Sequence, residues 1–168
     1  MNENGRVLLV LRHAKAVHEA GLPDLDRGLT ERGLRDATAA GETLREAGLI
    51  PDRVLCSAAL RTRQTWQQVS AALGPAARQA EVSFESSLYD AGAGTLLDAV
   101  RRISDQAGIA LLVGHNPASH QLVLDLTGRR DLAFPTSALA VVRLPGRWAA
   151  AAAAGGELAR IWTPHAAS

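Results

Sequence analysis

A chain of 168 residues with 47% hydrophobic content is expected to form a single domain, residues 1–168, with a core that needs neither disulfides nor structural metal. The same composition excludes a disordered chain, and a formal net charge of +1 argues against a broad nucleic-acid-binding surface, which carries a marked basic excess. The only cysteine, Cys56, has no partner for an internal disulfide and sits in a short apolar run, so it suits a reducing compartment and a buried role.

The first six residues, MNENGR, are too polar to open a signal peptide, and the apolar run at 7–11 falls well short of the ~20 residues of a membrane span. A cytoplasmic protein with no membrane partner is expected. The run ends abruptly in Arg12, His13 and Lys15, three groups that want an anion or water. Thr30 can then cap a helix in which Leu34, Ala37, Gly41, Leu44 and Ala47 share a stripe, stopped by Gly48. A second buried strand is expected at 53–56. Ser57 can cap the helix after it, which runs to about Leu73 before Gly74 and Pro75.

A short strand is expected at 81–84, then a third helix over 95–107 with Leu96, Leu97, Val100 and Ile103 inward. Apolar runs at 109–113 and 138–144 read as further strands, with a fourth helix after Pro117 between them and a last strand at 157–163. The alanine run 149–154 reads as a surface connection between the late strands. Strands alternating with helices imply right-handed crossovers and a mainly parallel sheet covered on both faces, an α/β fold in three layers, α/β/α.

In such a sheet ligands bind beyond the carboxyl ends of the strands. Arg12 and His13 follow the first run, Ser57 and then Arg61 the second, and Gly114, His115 and Asn116 the run at 109–113. Two arginines and two histidines therefore converge on one edge. Their natural guest is a phosphoryl group, because guanidinium forks match its oxygens and a neutral imidazole can attack phosphorus and carry the group to water.

These stretches also resemble a known family. RHAK at 12–15 is similar to the Arg-His-Gly signature of the histidine phosphatase superfamily, the phosphoglycerate-mutase-like proteins, with Ala14 in place of the usual glycine. Asp26, Arg27, Leu29, Thr30 and Gly33, the segment SAALRTRQT at 57–65 and VGHNP at 113–117 extend the likeness over most of the chain. The short length looks most like the small SixA-like branch, which removes phosphate from phosphohistidine on signalling proteins. The resemblance implies a phosphoglycerate-mutase-like fold, His13 as the phosphorylated nucleophile, and Arg12, Arg61 and His115 around the phosphate, without metal or cofactor. It implies as substrate a phosphoprotein carrying phosphohistidine or a small phosphorylated metabolite; a module that binds phosphate without turnover is the alternative.

The proton donor for a leaving group is not marked. His115 is followed by Asn116 rather than by the aspartate of the acid-phosphatase branch, and Glu85, with Asp90 behind it, is the candidate acid or base. Lys15 reads equally as a phosphate contact or a solvated residue, and Asn116 as a phosphate contact or a turn former. His18, His120 and His165 read as surface or packing residues, and Trp66, Trp148 and Trp162 as packing. A mutase would need a lid to retain its product, and no long insertion supplies one. The specificity walls are expected in the loops 18–27 and 86–94.

Overall fold

The structure is a computed structural model that describes residues 5–165; residues 1–4 of the polar start and residues 166–168 lie outside it. Six strands form one sheet: β1 (Gly5–Arg12), β2 (Arg53–Ser57), β3 (Glu81–Glu85), β4 (Ile109–Gly114), β5 (Leu139–Pro145) and β6 (Glu157–Trp162). Their order is β3-β2-β4-β1-β5-β6. The first four in that order run parallel, whereas β5 is antiparallel to β1 and β6 to β5.

Four helices cover the two faces: α1 (Glu31–Glu46), α2 (Leu60–Leu73), α3 (Ala93–Arg101) and α4 (Ala118–Thr127). The continuous apolar run of β1 follows from this layering, since side chains alternate across a strand and here both sides are dry. Leu9 and Leu11 join Leu44, Cys56, Trp66 and Val69 on the α1/α2 side. Leu8 and Val10 join Leu96, Val100, Leu122 and Leu126 on the α3/α4 side. Cys56 is fully buried, and burial pushes its thiol up to about 12, so it packs as a small hydrophobe.

Several expected boundaries shift for local reasons. Thr30 does cap α1, its hydroxyl accepting from the Gly33 amide at 3.0 Å, and Gly48 turns the chain away at φ +69°. The buried stripe of α1 is Gly33, Ala37, Ala40, Gly41 and Leu44, while Ala47 is the exposed C-cap. Gly41 is required where α1 meets α2, because a Cβ there would lie 2.8 Å from the Val69 carbonyl oxygen. Ser57 is not the cap of α2; that position falls to Ala59, and Ser57 is the last residue of β2. The third helix ends at Arg101 rather than at 107. Beyond it Ser104 accepts from the Gln106 amide, and Asp105 accepts from the Trp148 amide and Arg147, side-chain bonds that favour a turn over another helical turn. Trp148 is fully buried in the connection between β5 and β6, where its indole N–H donates to the Ala107 carbonyl.

Register aligns the functional edge. Arg12 stands beside Gly114, Cys56 beside Val113, and Ser57 beside Glu85, so the carboxyl ends of β1, β4, β2 and β3 finish together. Among the described residues no helix is long and apolar enough to cross a membrane.

Candidate active site

His13 follows β1 directly, and three backbone bonds fix its turn. Its amide donates to the Gly114 carbonyl at 3.0 Å, the next amide, that of Ala14, donates to Thr65 Oγ1 at 3.0 Å, and the Ser137 amide donates to the His13 carbonyl at 3.1 Å. Thr65 Oγ1 in turn donates to the Arg61 carbonyl, so the His13 turn and the helix that carries Arg61 are tied together. His13 Nδ1 lies 2.8 Å from the Ala14 carbonyl oxygen. A carbonyl only accepts, so Nδ1 carries the proton and Nε2 keeps the lone pair.

His115 faces it across the pocket, the two ring centroids 5.3 Å apart. Its Nε2 is 2.8 Å from Ser57 Oγ. Ser57 Oγ accepts from the Ala59 amide and can donate its own proton to Nε2, in which case the His115 proton sits on Nδ1. Among the described residues that Nδ1 has no partner, and neither do Arg12 Nε and Arg61 Nε, all three being buried. Arg12 reaches back through Nη1 to the Phe134 carbonyl, and Arg61, only 6% exposed, through Nη1 and Nη2 to Asp24. Buried polar nitrogens without partners are costly, and these three belong to residues grouped around His13, near enough to it to disfavour its protonated form.

Burial keeps both imidazoles neutral. Desolvation pushes His13 down to about 3, with His115, Arg61 and Arg12 adding in the same direction against the Ala14 hydrogen bond. His115 falls to about 4, chiefly by desolvation and then by Arg61. Burial also lowers Arg12. In the folded protein both rings therefore stay unprotonated at a pH where the unfolded chain takes up protons near 6.5. Below 6.5 the unfolded state binds more protons, so stability is expected to fall as pH drops from 6.5 toward 4. Thermal melts across that range check this, and 15N spectra of the imidazoles should show both rings neutral at pH 5.5. A flat melting profile together with rings that titrate at 6.5 would contradict it.

A profile of the histidine phosphatase superfamily (branch 1) matches residues 8–96, more than half of the chain and a span that includes His13 and Arg61. The chain belongs to the histidine phosphatase superfamily. An uncharacterized protein of Mycobacterium tuberculosis (strain H37Rv) is 36% identical over 149 residues, covering 83% of this chain and 90% of that protein. Among solved structures, a candidate phosphohistidine phosphatase SixA from Nakamurella multipartitia is 32% identical over 96% of this chain and 98% of its own, with a TM-score of 0.83. Another from Agrobacterium tumefaciens is 28% identical over 95% and 98%, with a TM-score of 0.82. The sheet and its four helices have the phosphoglycerate-mutase-like architecture of these neighbours.

Within this histidine phosphatase fold the structure brings Arg12, His13, Arg61 and His115 to one pocket. Asn116 stands at its edge, donating through Nδ2 to the Phe134 carbonyl that also receives Arg12. Lys15 is exposed. Glu85 lies on β3, three strand positions or roughly 14 Å from β1 at the usual spacing. Its carboxylate accepts from Ser83 Oγ and lines a cavity of about 500 Å³ together with Arg53 and Arg102. Asp90 is exposed and holds a left-handed φ of 56°.

Three further residues build the site. Ser57 orients His115, Tyr89 sets its ring edge on His115 at 5.5 Å between centroids, and Asp24 holds Arg61. Tyr89 and Asp24 come from the two loops in which the specificity walls are expected. The acidic pair of PDLDR was the available signal for Asp24. Among the described residues no three His, Cys, Asp or Glu side chains gather as a metal-ligand set.

Proposed function

We propose that this chain is a phosphatase that passes a phosphoryl group through His13 Nε2 to water, with protein phosphohistidine as its substrate class. The observation that carries the reading is the set of buried, partnerless nitrogens, Arg12 Nε, Arg61 Nε and His115 Nδ1, on residues grouped around a neutral imidazole whose free nitrogen is Nε2. A tetrahedral oxyanion would satisfy all three at once.

In the first step the Nε2 lone pair of His13 forms a bond to phosphorus while the bond from phosphorus to the leaving group breaks, the leaving group taking the electron pair. Arg12, Arg61 and His115 donate to the equatorial oxygens, where charge is spread during transfer. In the second step water attacks phosphorus, the bond to Nε2 breaks, and inorganic phosphate leaves while the water proton passes to solvent. Side chains of the chain and water supply every group these steps use.

The choice of phosphohistidine over an ester rests on the leaving group. Glu85 is engaged by Ser83 on the far side of β2, Asn116 donates to a backbone carbonyl, and the Asp24 carboxylate is held ionised on Arg61, so none of these three offers an acidic proton to the leaving group. A phosphorylated imidazole that already carries a proton on its second nitrogen departs as neutral imidazole without an acid, whereas an alkoxide does not. The likeness to the SixA structures supports the same substrate class.

Rates measured side by side on a phosphohistidine protein, a phosphoserine peptide, a sugar phosphate and an aryl phosphate test this. The phosphohistidine protein and the aryl phosphate should exceed the two alkyl esters by the ~10²- to 10⁴-fold that a general acid normally supplies. Equal turnover of the phosphoserine peptide or the sugar phosphate would overturn the assignment of substrate class. Equal turnover of the sugar phosphate in particular would favour a small phosphorylated metabolite as the substrate.

A further inference from the structure

Arg61 is gripped along one edge only. Its Nη1 donates to the Asp24 carbonyl oxygen at 2.8 Å and its Nη2 to Asp24 Oδ2 at 3.0 Å, so one residue takes both tips of the fork through its backbone and its side chain. A guanidinium has a second bidentate edge, made by Nε and the inner proton of an Nη atom. On Arg61 that Nε is buried and has no partner among the described residues.

We propose that Asp24 is a positioning residue for phosphoryl binding: by clamping the outer edge of Arg61 it presents the Nε edge to the phosphoryl oxygens. The assignment rests on the phosphatase reading and adds to it a residue that touches no reacting atom.

Asp24 is itself braced for this task. Its Oδ1 accepts from Arg27 Nη1 at 2.9 Å, and its Oδ2 also accepts from the Tyr89 hydroxyl. Arg27 is anchored in turn by Nε to the Val17 carbonyl at 2.8 Å. The hydrogen bonds from Tyr89, Arg27 and Arg61 hold the Asp24 carboxyl well below the usual range, so it is ionised throughout the neutral region. Tyr89 packs its edge against His115, and the Arg61 guanidinium lies 5.9 Å from the Tyr89 ring centroid. The exposed loop around Asp24 (Asp24–Asp26 forms a 3-10 turn) is thereby fastened to two walls of the pocket.

A carboxylate on an arginine can also act the opposite way, by competing with phosphate for the same protons. The two roles predict effects of opposite sign. If Asp24 positions Arg61, Asp24→Ala should weaken binding of inorganic phosphate and raise KM for an aryl phosphate by about 10- to 100-fold, the usual cost of a misplaced binding group, with a smaller loss in kcat. Asp24→Asn should recover most of the loss, since its amide oxygen can take the place of Oδ2 and accept from Arg61, with the bond from Arg27 given up. In an Arg61→Ala background the Asp24 substitutions should add almost nothing.

Tighter phosphate binding in Asp24→Ala would overturn the proposal in favour of competition. An undiminished Asp24 effect in the Arg61→Ala background would reduce Asp24 to loop structure, and no effect in either background would remove it altogether. Thermal melts accompany each variant, and if Asp24→Ala melts early the cycle is run with Asp24→Ser, which keeps a polar side chain on the loop but removes the carboxylate that reaches Arg61. Labelling of His13 by a phosphodonor in the unmodified protein reports on the phosphatase reading independently, so a flat cycle with intact labelling rejects the Asp24 assignment alone.

Discussion

Replacing His13 by alanine is expected to remove turnover, by on the order of 10³-fold or more, and with it any acid-labile, alkali-stable phosphate label on the protein. The expectation follows from what the remaining groups can do. Arg12 and Arg61 are donors with no lone pair to offer, and with Ser57 donating to its Nε2 His115 is a donor through Nδ1 as well. Phosphate should still bind in this variant, since the three orphaned donors are untouched. Loss of label and rate with retained phosphate binding is therefore the diagnostic combination, and rapid-quench labelling with phosphate titration measures both. Full activity in His13→Ala would remove the phosphohistidine intermediate from the reading.

The meeting of His13, the two arginines and His115 was legible because strand ends are legible. An apolar run of five or six residues buried on both faces cannot continue into Arg-His or Gly-His without leaving the sheet, so the polar residues mark its rim. Register then did the rest, aligning Arg12 with Gly114 and carrying Ser57 up beside them. The same logic fails in loops. Asp24 and Arg61 are 37 residues apart, and their contact depends on how the segment 18–27 folds over the edge, which neither periodicity nor capping rules describe.

Ser57 shows a different failure. A serine just before a helix invites a capping role, and here its hydroxyl does meet the Ala59 amide, at 3.4 Å, while the cap position itself passes to Ala59. The stronger bond, 2.8 Å to His115, comes from a strand that is adjacent in space and 58 residues away in sequence. Local rules found the right residue and gave it the wrong partner. The overlong reading of α3 has the same origin, since Asp105 is recruited by Trp148 and Arg147 from beyond β5.

Gly33→Ala is the substitution expected to damage the fold most for its size. Taken locally it should help, because alanine is favoured over glycine inside a helix by about 1 kcal/mol and Gly33 has no left-handed backbone to lose. The sign is reversed by what lies across from it. A Cβ at Gly33 would stand 2.2 Å from the Lys15 carbonyl oxygen and 3.1 Å from the Lys15 amide nitrogen, backbone atoms that no rotamer change can move aside. That carbonyl also accepts from the Thr30 amide at 2.9 Å, so the first turn of α1 is seated on the segment two residues beyond His13. To admit the methyl group the chain must lift α1 from this seat, breaking the bond, or push residue 15 and thereby the His13 turn. Relieving such an overlap costs about 1–3 kcal/mol, or roughly 2–12 °C in Tm for a chain of this size. Because the displaced segment carries His13, the proposed nucleophile, kcat should fall together with Tm, whereas a purely global loss of stability would leave kcat unchanged well below the melting range. Paired melting and rate measurements at a fixed low temperature separate the two, and an alanine variant that is more stable and fully active would show that α1 is not seated on residue 15.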